Sequence, residues 1–180
     1  IVECEPTNTA RAAKTEEISR ATGAVILHPS NQKEVIDGNA SAAIELLEDV
    51  PELDSVITPV GGGGLLAGTA LAVKGLNESI RVFAAEPAGA DDACRSLQIG
   101  VIQPSEHPET IADGLKTQLG EKNFPIIKKY TEEIILVEEY EIVSAMKFVW
   151  ERMKIVIEPY AAVAPAAVLK SPEIFEGMKI

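Results

Sequence analysis

Four consecutive glycines, Gly61 to Gly64, constrain the fold of this chain more than any other feature. The apolar, partly β-branched run Val56–Val60 precedes them and predicts a buried strand. The alanine- and leucine-rich run Leu65–Lys74 follows them and predicts a helix. Because glycine has no Cβ, the turn can adopt positive φ and direct several N–H groups to one point, at the positive end of the helix dipole. The junction is therefore typical of a phosphate site built from backbone alone.

Three other interpretations of the glycine run compete with this one. A plain surface turn is disfavoured, because four glycines lose much backbone entropy on folding. A Walker loop requires a lysine directly after the glycines, and the next lysine is Lys74. A dinucleotide fingerprint, Gly62-x-Gly64-x-x-Ala67 with an acid at Glu86 about twenty residues further on, fits the spacing. Spacing alone therefore leaves an NAD-binding Rossmann-type domain open.

Composition and charge limit the classes of partner. The 180 residues are 46% hydrophobic, which predicts one soluble globular core. The formal net charge of −12 disfavours nucleic acid and membrane as partners, because both carry negative charge. Cys4 and Cys94 have no paired spacing, so we expect reduced thiols in a cytoplasmic protein. The longest apolar stretch is too short to cross a bilayer. The termini, Ile1-Val2 and Met178–Ile180, suggest a fragment of a longer protein.

Strand and helix patterns alternate along the chain. The predicted strands are the tail Ile1–Glu5 and the runs Ala24–Leu27, Val56–Val60, Ile80–Ala85 and Glu133–Val137. The predicted helices are Asn8–Thr22 with Gly23 as its stop, Ala40–Val50, Leu65–Lys74, Pro125–Tyr130, one from Glu138 onward, and Tyr160–Leu169. This order predicts an α/β fold with a mostly parallel twisted sheet flanked by helices. Ligands of such sheets bind outside the carboxyl ends of the strands, where the glycine run and Glu86 fall.

The helix predicted from Glu138 onward is the longest. Its predicted core stripe, at helical spacing, consists of Ile142, Val143, Met146, Val149, Trp150 and Met153. We interpret the methionines and the tryptophan as core residues rather than as a cofactor site.

Three carboxylates crowd the loop Glu86–Asp92. Glu86, the Ala90 carbonyl and Asp92 offer the oxygen ligands that Mg²⁺ and Ca²⁺ prefer. Helix capping is the alternative for Asp91 or Asp92, because acids are favoured in the first turn of the helix predicted to follow. Spacing leaves both interpretations open.

Several separated motifs coincide with one family. They are Pro59–Gly68, Ala84–Pro87 with Ala90–Asp92, Thr110–Gly114, Trp150–Lys154 and Ile157–Pro159. In this order they resemble the serine racemases and serine/threonine dehydratases, which use pyridoxal 5′-phosphate (PLP) on the tryptophan synthase β-like fold, fold type II. The resemblance covers nearly the whole chain and favours PLP over NAD.

The resemblance implies a cofactor site. The amides expected to hold the PLP phosphate are those of Gly61, Gly62, Gly63, Gly64 and Leu65. Ser30 and Glu158 would lie near the cofactor.

The resemblance also implies a cation site and an assembly. Glu86, the Ala90 carbonyl and Asp92 would hold Mg²⁺ or Ca²⁺, with Mn²⁺ as a further candidate. Lys154 would border an ATP-type effector site at the subunit interface of a homodimer.

The activity implied by the resemblance starts from a carbanion at Cα of L-serine or L-threonine. Reprotonation of serine on the opposite face would give D-serine, and β-elimination would give pyruvate or 2-oxobutanoate plus ammonia. The Schiff-base lysine and the catalytic serine of the family would lie before Ile1. We therefore expect no catalytic residue in this chain and no activity from it alone. Residues 1–29 would end a small domain, and 30–180 would form a large PLP-binding domain truncated at its C-terminus.

The chain departs from the family pattern near the expected cofactor. Residues 38–41 are Gly-Asn-Ala-Ser where Gly-Gln-Gly-Thr is usual. The other departures are Tyr160 for a small residue, Ala162 and Ala164 where glycines are common, and Pro165. Together with Asn39 and Ala40, they add bulk behind the cofactor and predict strain there. A non-catalytic ligand-binding module on a decayed enzyme scaffold is therefore the alternative from another functional class.

Overall fold

The computed structural model describes residues 1–180, in which ten main elements follow one another. In chain order these are α1 (Asn8–Thr22), α2 (Lys33–Asp49), β1 (Ser55–Pro59), α3 (Gly64–Leu76), β2 (Arg81–Pro87), α4 (Asp92–Ile99), α5 (Phe124–Tyr130), β3 (Ile134–Val137), α6 (Glu139–Met153) and α7 (Pro159–Lys170). Three short 3₁₀ helices lie between or after them, at Ala88–Ala90, Asp113–Leu115 and Pro172–Ile174.

The three strands form one parallel sheet in the order β1-β2-β3. Ser55 of β1 lies opposite Arg81 of β2, and Ala84 of β2 lies opposite Ile134 of β3. Because all strands run in the same direction, their carboxyl ends meet at one edge of the sheet. The glycine run follows β1 and the acidic loop follows β2, so both lie at this edge. The predicted α/β class with a parallel sheet is confirmed.

Helices cover both faces of the sheet. One buried cluster joins α2, α3 and α5 to the strand residues Val56, Val82, Ala84 and Ile134. The other joins α6 and α7 to Phe83, Ala85, Ile135 and Val137. Alternate strand residues thus point to opposite cores, which explains why each strand is apolar almost throughout its length.

The amino-terminal region differs from the prediction in its strands. Neither Ile1–Glu5 nor Ala24–Leu27 forms a strand, and the Val25 side chain is 85% exposed. An apolar run predicts a strand only if a neighbour is available for pairing, and the three-stranded sheet offers this segment none. The helix between them is as predicted. The Thr7 hydroxyl accepts the Ala10 N–H at its start, and Gly23 ends it with φ 73°.

The α2 helix begins at Lys33 rather than at Ala40, and its earlier turns pack closely against α3. Gly68 of α3 lies where the two helices approach. A Cβ on Gly68 would lie 2.8 Å from the Ala40 nitrogen and closer still to the Ile36 carbonyl oxygen. Only glycine therefore permits this separation of the two helix backbones.

The core stripe predicted for α6 is only partly correct. Its fully buried residues are Ile142, Ala145 and Val149. The large side chains of Val143, Trp150 and Met153 are exposed instead. The prediction followed side-chain size and overlooked Ala145, although the helical period was right. None of the helices has the combination of length and apolarity that crossing a membrane requires.

Two glycines of α3 provide a matched test of this packing. We expect Gly68→Ala to lower the free energy of unfolding by about 1–3 kcal/mol, because the new methyl group meets the α2 backbone. Gly75→Ala should raise it by up to about 1 kcal/mol, because no atom lies within 4 Å of the added Cβ and alanine favours the helix. Urea unfolding of both variants measures the difference. Equal effects would contradict the packing described.

Candidate functional site

The glycine run forms a tight turn between β1 and α3. The Val60 N–H still belongs to the sheet and donates to the Ala85 carbonyl at 3.0 Å. Gly63 occupies the N-cap position of α3 with φ 85°, a conformation that L side chains rarely adopt. A Cβ on Gly63 would also lie 2.7 Å from Leu119 Cδ1. Gly63 is thus required for its positive φ. At Gly61, Gly62 and Gly64, glycine is required because neighbouring atoms lie too close for a Cβ.

The backbone amides of this turn have no hydrogen-bond acceptor in the structure. From Gly61 through Leu66 no N–H group finds a carbonyl or side-chain partner, and the first bond of α3 runs from Ala67 N–H to the Gly63 carbonyl at 2.9 Å. Four free amides are usual at a helix N-terminus, and Gly61 and Gly62 extend the row to six. Unpaired amides in a largely buried turn are costly unless an external acceptor is bound. The turn is therefore built to hold an anion.

Ser30 lies directly against this turn. A Cβ on Gly62 would be 2.8 Å from the Ser30 Cβ, and one on Gly64 would be 3.0 Å from the Ser30 Cα. The preceding His28 fixes the local conformation, because its Nδ1 accepts the N–H of Ser30 at 3.2 Å and of Asn31 at 2.8 Å. The structure thus brings Ser30 beside the glycine run.

A third segment, ending at Asn123, holds the turn from the other side. The Gly120 N–H donates to the Gly62 carbonyl at 3.1 Å. The Asn123 side-chain amide donates to the same carbonyl at 2.6 Å and to the Ser30 carbonyl at 3.1 Å. Sequence analysis missed Asn123. Its only sequence signal, a position just before a short helix, predicts an N-cap and no contact with residues sixty positions away.

The acidic loop after β2 is arranged around the fully buried Glu86. Its Oε1 accepts the Ala93 N–H and its Oε2 accepts the Cys94 N–H, both at 2.9 Å. Glu86 therefore satisfies the first amides of α4. Asp91 occupies the N-cap position and Asp92 the first turn, as the helix-cap interpretation predicts, but neither side chain makes a capping bond. Asp91 instead pairs with Arg95 at 2.8 Å.

Asp92 is also fully buried and only half satisfied. Its Oδ2 accepts the Leu119 N–H at 2.9 Å, whereas its Oδ1 is buried without a partner. Ala90 precedes it and is the buried residue of the 3₁₀ turn Ala88–Ala90. At Gly89 a Cβ would collide with the Glu109 carbonyl oxygen, so only glycine fits there. The predicted ligands Glu86, Ala90 and Asp92 are thus three buried residues of one short loop.

Burial shifts the protonation of both carboxyls. It raises the pKa of Glu86 to about 8, against the opposing effect of the two N–H bonds. It raises the pKa of Asp92 to about 6, against the opposing effects of the Leu119 N–H bond and the nearby Ser105 hydroxyl. The pKa of the neighbouring Cys94 thiol is raised as well, first by burial and then by the charge of Glu86. Negative charge in this loop is therefore costly unless a proton or a cation offsets it.

The chain has no cluster of three or more His, Cys, Asp or Glu side chains that could hold a metal ion. A cation at this loop would therefore combine the two carboxylates with a backbone carbonyl. The unpartnered Asp92 Oδ1 is the feature of this loop that fits such a cation.

Glu158 lies at the N-cap position of α7, is exposed, and makes no capping bond. Two residues later the Tyr160 ring packs on Gly114, where a Cβ would lie 3.1 Å from it. The next residue, Leu115, has its Cα 3.1 Å from the Cβ position of Gly61. The start of α7 therefore lies at the same edge of the sheet as the glycine turn. Lys154 ends α6 with φ 60° and is exposed.

The residues that depart from the family pattern lie in helices α2 and α7. Asn39 lies beside Gly64 and donates to the Val35 carbonyl at 2.9 Å. Ala162 and Ala164 are buried in the α6–α7 core. The helix α7 continues through Pro165. None of these residues has positive φ, which outside glycine occurs only at His107 and Lys154. The strain expected behind a bound cofactor stays a prediction.

Comparison with known proteins identifies the class. The family model described as "Pyridoxal-phosphate dependent enzyme" matches residues 1–180, so the chain belongs to this family. Serine racemase from Dictyostelium discoideum is 51% identical over 172 residues, covering 94% of this chain and 53% of that protein. The structure of maize serine racemase superposes with a TM-score of 0.96 at 39% identity, covering 99% of this chain and 57% of that one. The crystal structure of T.th. threonine deaminase gives a TM-score of 0.91 at 38% identity, covering 96% of this chain and 58% of that one.

These likenesses confirm the predicted resemblance and the tryptophan synthase β-like fold. The chain spans about half the length of the curated relatives it matches. Family membership implies PLP and decides the choice that spacing left open between PLP and NAD. Glu86 supports the same choice, because its side chain is fully buried and binds two amides of its own chain, so it does not face a ribose at the surface.

The raised pKa values predict a pH dependence of stability. Both lie above the ordinary values of 4.5 and 3.8, so the native state keeps protons that the unfolded chain releases. The protons that the native state retains stabilise it fully below about pH 4. The contribution of Asp92 is lost as pH rises to about 6, and that of Glu86 as pH rises to about 8. In the full-length protein with a chelator, we expect Glu86 to make the free energy of unfolding fall by up to about 1.4 kcal/mol per pH unit between pH 6 and 8.

Urea unfolding at pH 6, 7 and 8 measures this slope. Glu86→Gln should flatten it, because glutamine does not titrate, and all other titrating groups, the histidines included, are common to both proteins. Identical slopes for wild type and variant would contradict the assignment.

Proposed function

We propose that this chain supplies the phosphate-holding part of the active site of a PLP-dependent serine racemase or serine/threonine dehydratase. The observation that carries the proposal is the row of six amides from Gly61 to Leu66 with no acceptor of their own. The names of the similar proteins, serine racemase and threonine deaminase, support the choice of substrate.

The chain binds the phosphate through backbone alone in this proposal. The amides of Gly61, Gly62, Gly63, Gly64 and Leu65 donate to the phosphate oxygens. The dipole of α3 adds partial positive charge at the same point. This local attraction opposes the repulsion expected from a net charge of −12. Ser30 and Glu158 border the cofactor and orient it.

When bound, PLP withdraws electrons from the Cα of the amino acid. The chain's own residues bind and orient the phosphate, and no proton transfer is assigned to them. Return of a proton to the opposite face of serine gives D-serine. Loss of the β-hydroxyl gives pyruvate from serine, or 2-oxobutanoate from threonine, with release of ammonia.

Phosphate dependence of ligand binding tests the proposal. Starting from full-length protein freed of cofactor, we expect PLP to stabilise by about 2.7 kcal/mol at a concentration 100-fold above its dissociation constant. Pyridoxal at the same concentration should stabilise much less, because it lacks the phosphate, and NAD should have no effect. Thermal unfolding measures all three. Protection by NAD without protection by PLP, or equal protection by PLP and pyridoxal, would contradict the proposal.

Product analysis completes this test. The full-length protein with PLP should form D-serine or pyruvate from L-serine, or 2-oxobutanoate from L-threonine. Binding of PLP without any turnover would instead favour a non-catalytic ligand-binding module. Pyruvate formation by residues 1–180 alone would refute the expectation that the catalytic lysine lies outside them.

The acidic loop is proposed to hold a divalent cation, Mg²⁺ or Ca²⁺, with Mn²⁺ as a further candidate. Glu86, the Ala90 carbonyl and Asp92 would be its ligands. The support is the buried Asp92 Oδ1 without a partner and the cost of burying two carboxylates so close together. A hard cation offsets this cost.

Two neighbouring aspartates allow a matched test of the cation site. Asp92→Asn keeps an oxygen for the Leu119 N–H and loses the negative charge, so we expect cation affinity to fall by about tenfold or more. Asp91→Asn removes only the partly exposed pair with Arg95 and should leave cation binding unchanged. Thermal unfolding with Mg²⁺ or Ca²⁺ measures both. No stabilisation of wild type, or full stabilisation of Asp92→Asn, would contradict the site.

The assembly is proposed to be a homodimer with an ATP-type effector beside Lys154. Exposed apolar side chains on α6 and just after it support an interface there; they are Tyr140, Val143, Phe148, Trp150, Met153 and Val156. Lys154 is exposed within this surface.

The domain division at residues 1–29 and 30–180 is likewise a proposal. It is supported by the lack of any buried residue before Ile36. Cytoplasmic localisation is supported by the free thiols of Cys4 and Cys94.

A further inference from the structure

Asn123 occupies the position of a helix cap without acting as one. It directly precedes α5, where an asparagine oxygen normally accepts an N–H of the first turn. No such bond is made, although the residue is fully buried. The side chain turns instead toward Gly62 and Ser30. A residue that forgoes its local bond for two distant ones has a role that α5 alone does not explain.

The orientation of the Asn123 amide follows from its partners. Both neighbours, the carbonyls of Gly62 and Ser30, are acceptors, so only the Nδ2 group can face them. The other end of the amide, Oδ1, is then buried with no partner. The site therefore bears the cost of an unpaired buried acceptor in order to place two donors.

Holding the Gly62 carbonyl also fixes the next amide. The Gly62 carbonyl and the Gly63 N–H belong to one planar trans peptide, in which they point in opposite directions. The bonds from Gly120 and Asn123 hold the carbonyl on one side of the turn. The Gly63 N–H is consequently aimed away from Asn123, on the side of the turn where it remains free of any acceptor. A rotated peptide would present a carbonyl oxygen to the anion instead.

We infer that Asn123 is a positioning residue for the phosphate turn, acting through the Gly62–Gly63 peptide and through Ser30. The inference rests on the proposed function, since it assumes that the free amides hold the phosphate of PLP. It predicts that losing the Asn123 donors weakens the recognition of the phosphate much more than the binding of the remainder of the cofactor.

The ratio of the dissociation constants of pyridoxal and PLP isolates this effect in the full-length protein. General loosening of the site weakens both ligands, whereas a misplaced turn weakens only the phosphorylated one. We expect Asn123→Ala to reduce the preference for PLP by about tenfold, equivalent to about 1.4 kcal/mol. Asn39→Ala is the matched control. It also removes an asparagine donor beside the turn, but that donor bonds only the Val35 carbonyl, and the preference should change by less than about twofold.

Two further variants keep the test decisive if Asn123→Ala fails to fold. Asn123→Leu retains the volume without donors and should show the same loss. Asn123→Ser retains one hydroxyl donor and should recover part of the preference. An unchanged preference in Asn123→Ala or Asn123→Leu, or an equal loss for PLP and pyridoxal, would overturn the inference. If the wild-type protein itself shows no preference for PLP over pyridoxal, the proposed function is wrong. That result differs from failure of the inference, in which wild type shows the preference and the Asn123 variants keep it.

Discussion

The unsatisfied amides between β1 and α3 are the interaction on which the rest of the site depends. A row of six N–H groups is stable in a largely buried turn only if something outside the chain accepts from them. The fold keeps them free by surrounding the turn with groups that bind its carbonyl and fill the space behind it. Ser30 and Leu119 leave no room for a Cβ at Gly62 and Gly63. The glycines are therefore required for close packing on one side and for anion binding on the other.

The acidic loop and the glycine turn are joined by one short segment. The Leu119 N–H donates to Asp92 Oδ2, and the very next amide, that of Gly120, donates to the Gly62 carbonyl. Asp92 thus fixes the position of Leu119, and the adjacent Gly120 fixes the turn. A cation or proton that neutralises Asp92 changes the acceptor strength of a carboxylate that is part of this connection. The anion-binding turn and the acidic loop, although about thirty residues apart in sequence, belong to one continuous hydrogen-bonded structure.

The sequence predicts the local elements well and their tertiary contacts poorly. The strand at 56–60 and the helix at 65–74 are predictable because an apolar strand, a glycine run and an alanine-rich helix each have a local signal. The partners of the turn, Ser30 and Asn123, have none, because their positions depend on how α2 and α5 pack against α3. The same limit explains the wrong strand at 24–27, since pairing requires a neighbour that no local pattern can supply.

Glu86 shows most clearly why spacing did not suffice. Its position in the sequence, about twenty residues after the glycine run, fits a ribose-binding acid and a cation ligand equally well. Burial separates these interpretations, because a carboxylate with no exposed surface and two amide donors of its own cannot reach a ribose hydroxyl. Burial does not decide the cation interpretation, which stays a proposal, because each oxygen accepts only one of the two N–H bonds. The identity of a ligand therefore depends less on which residue stands at a position than on which of its atoms remain unsatisfied once the chain has folded.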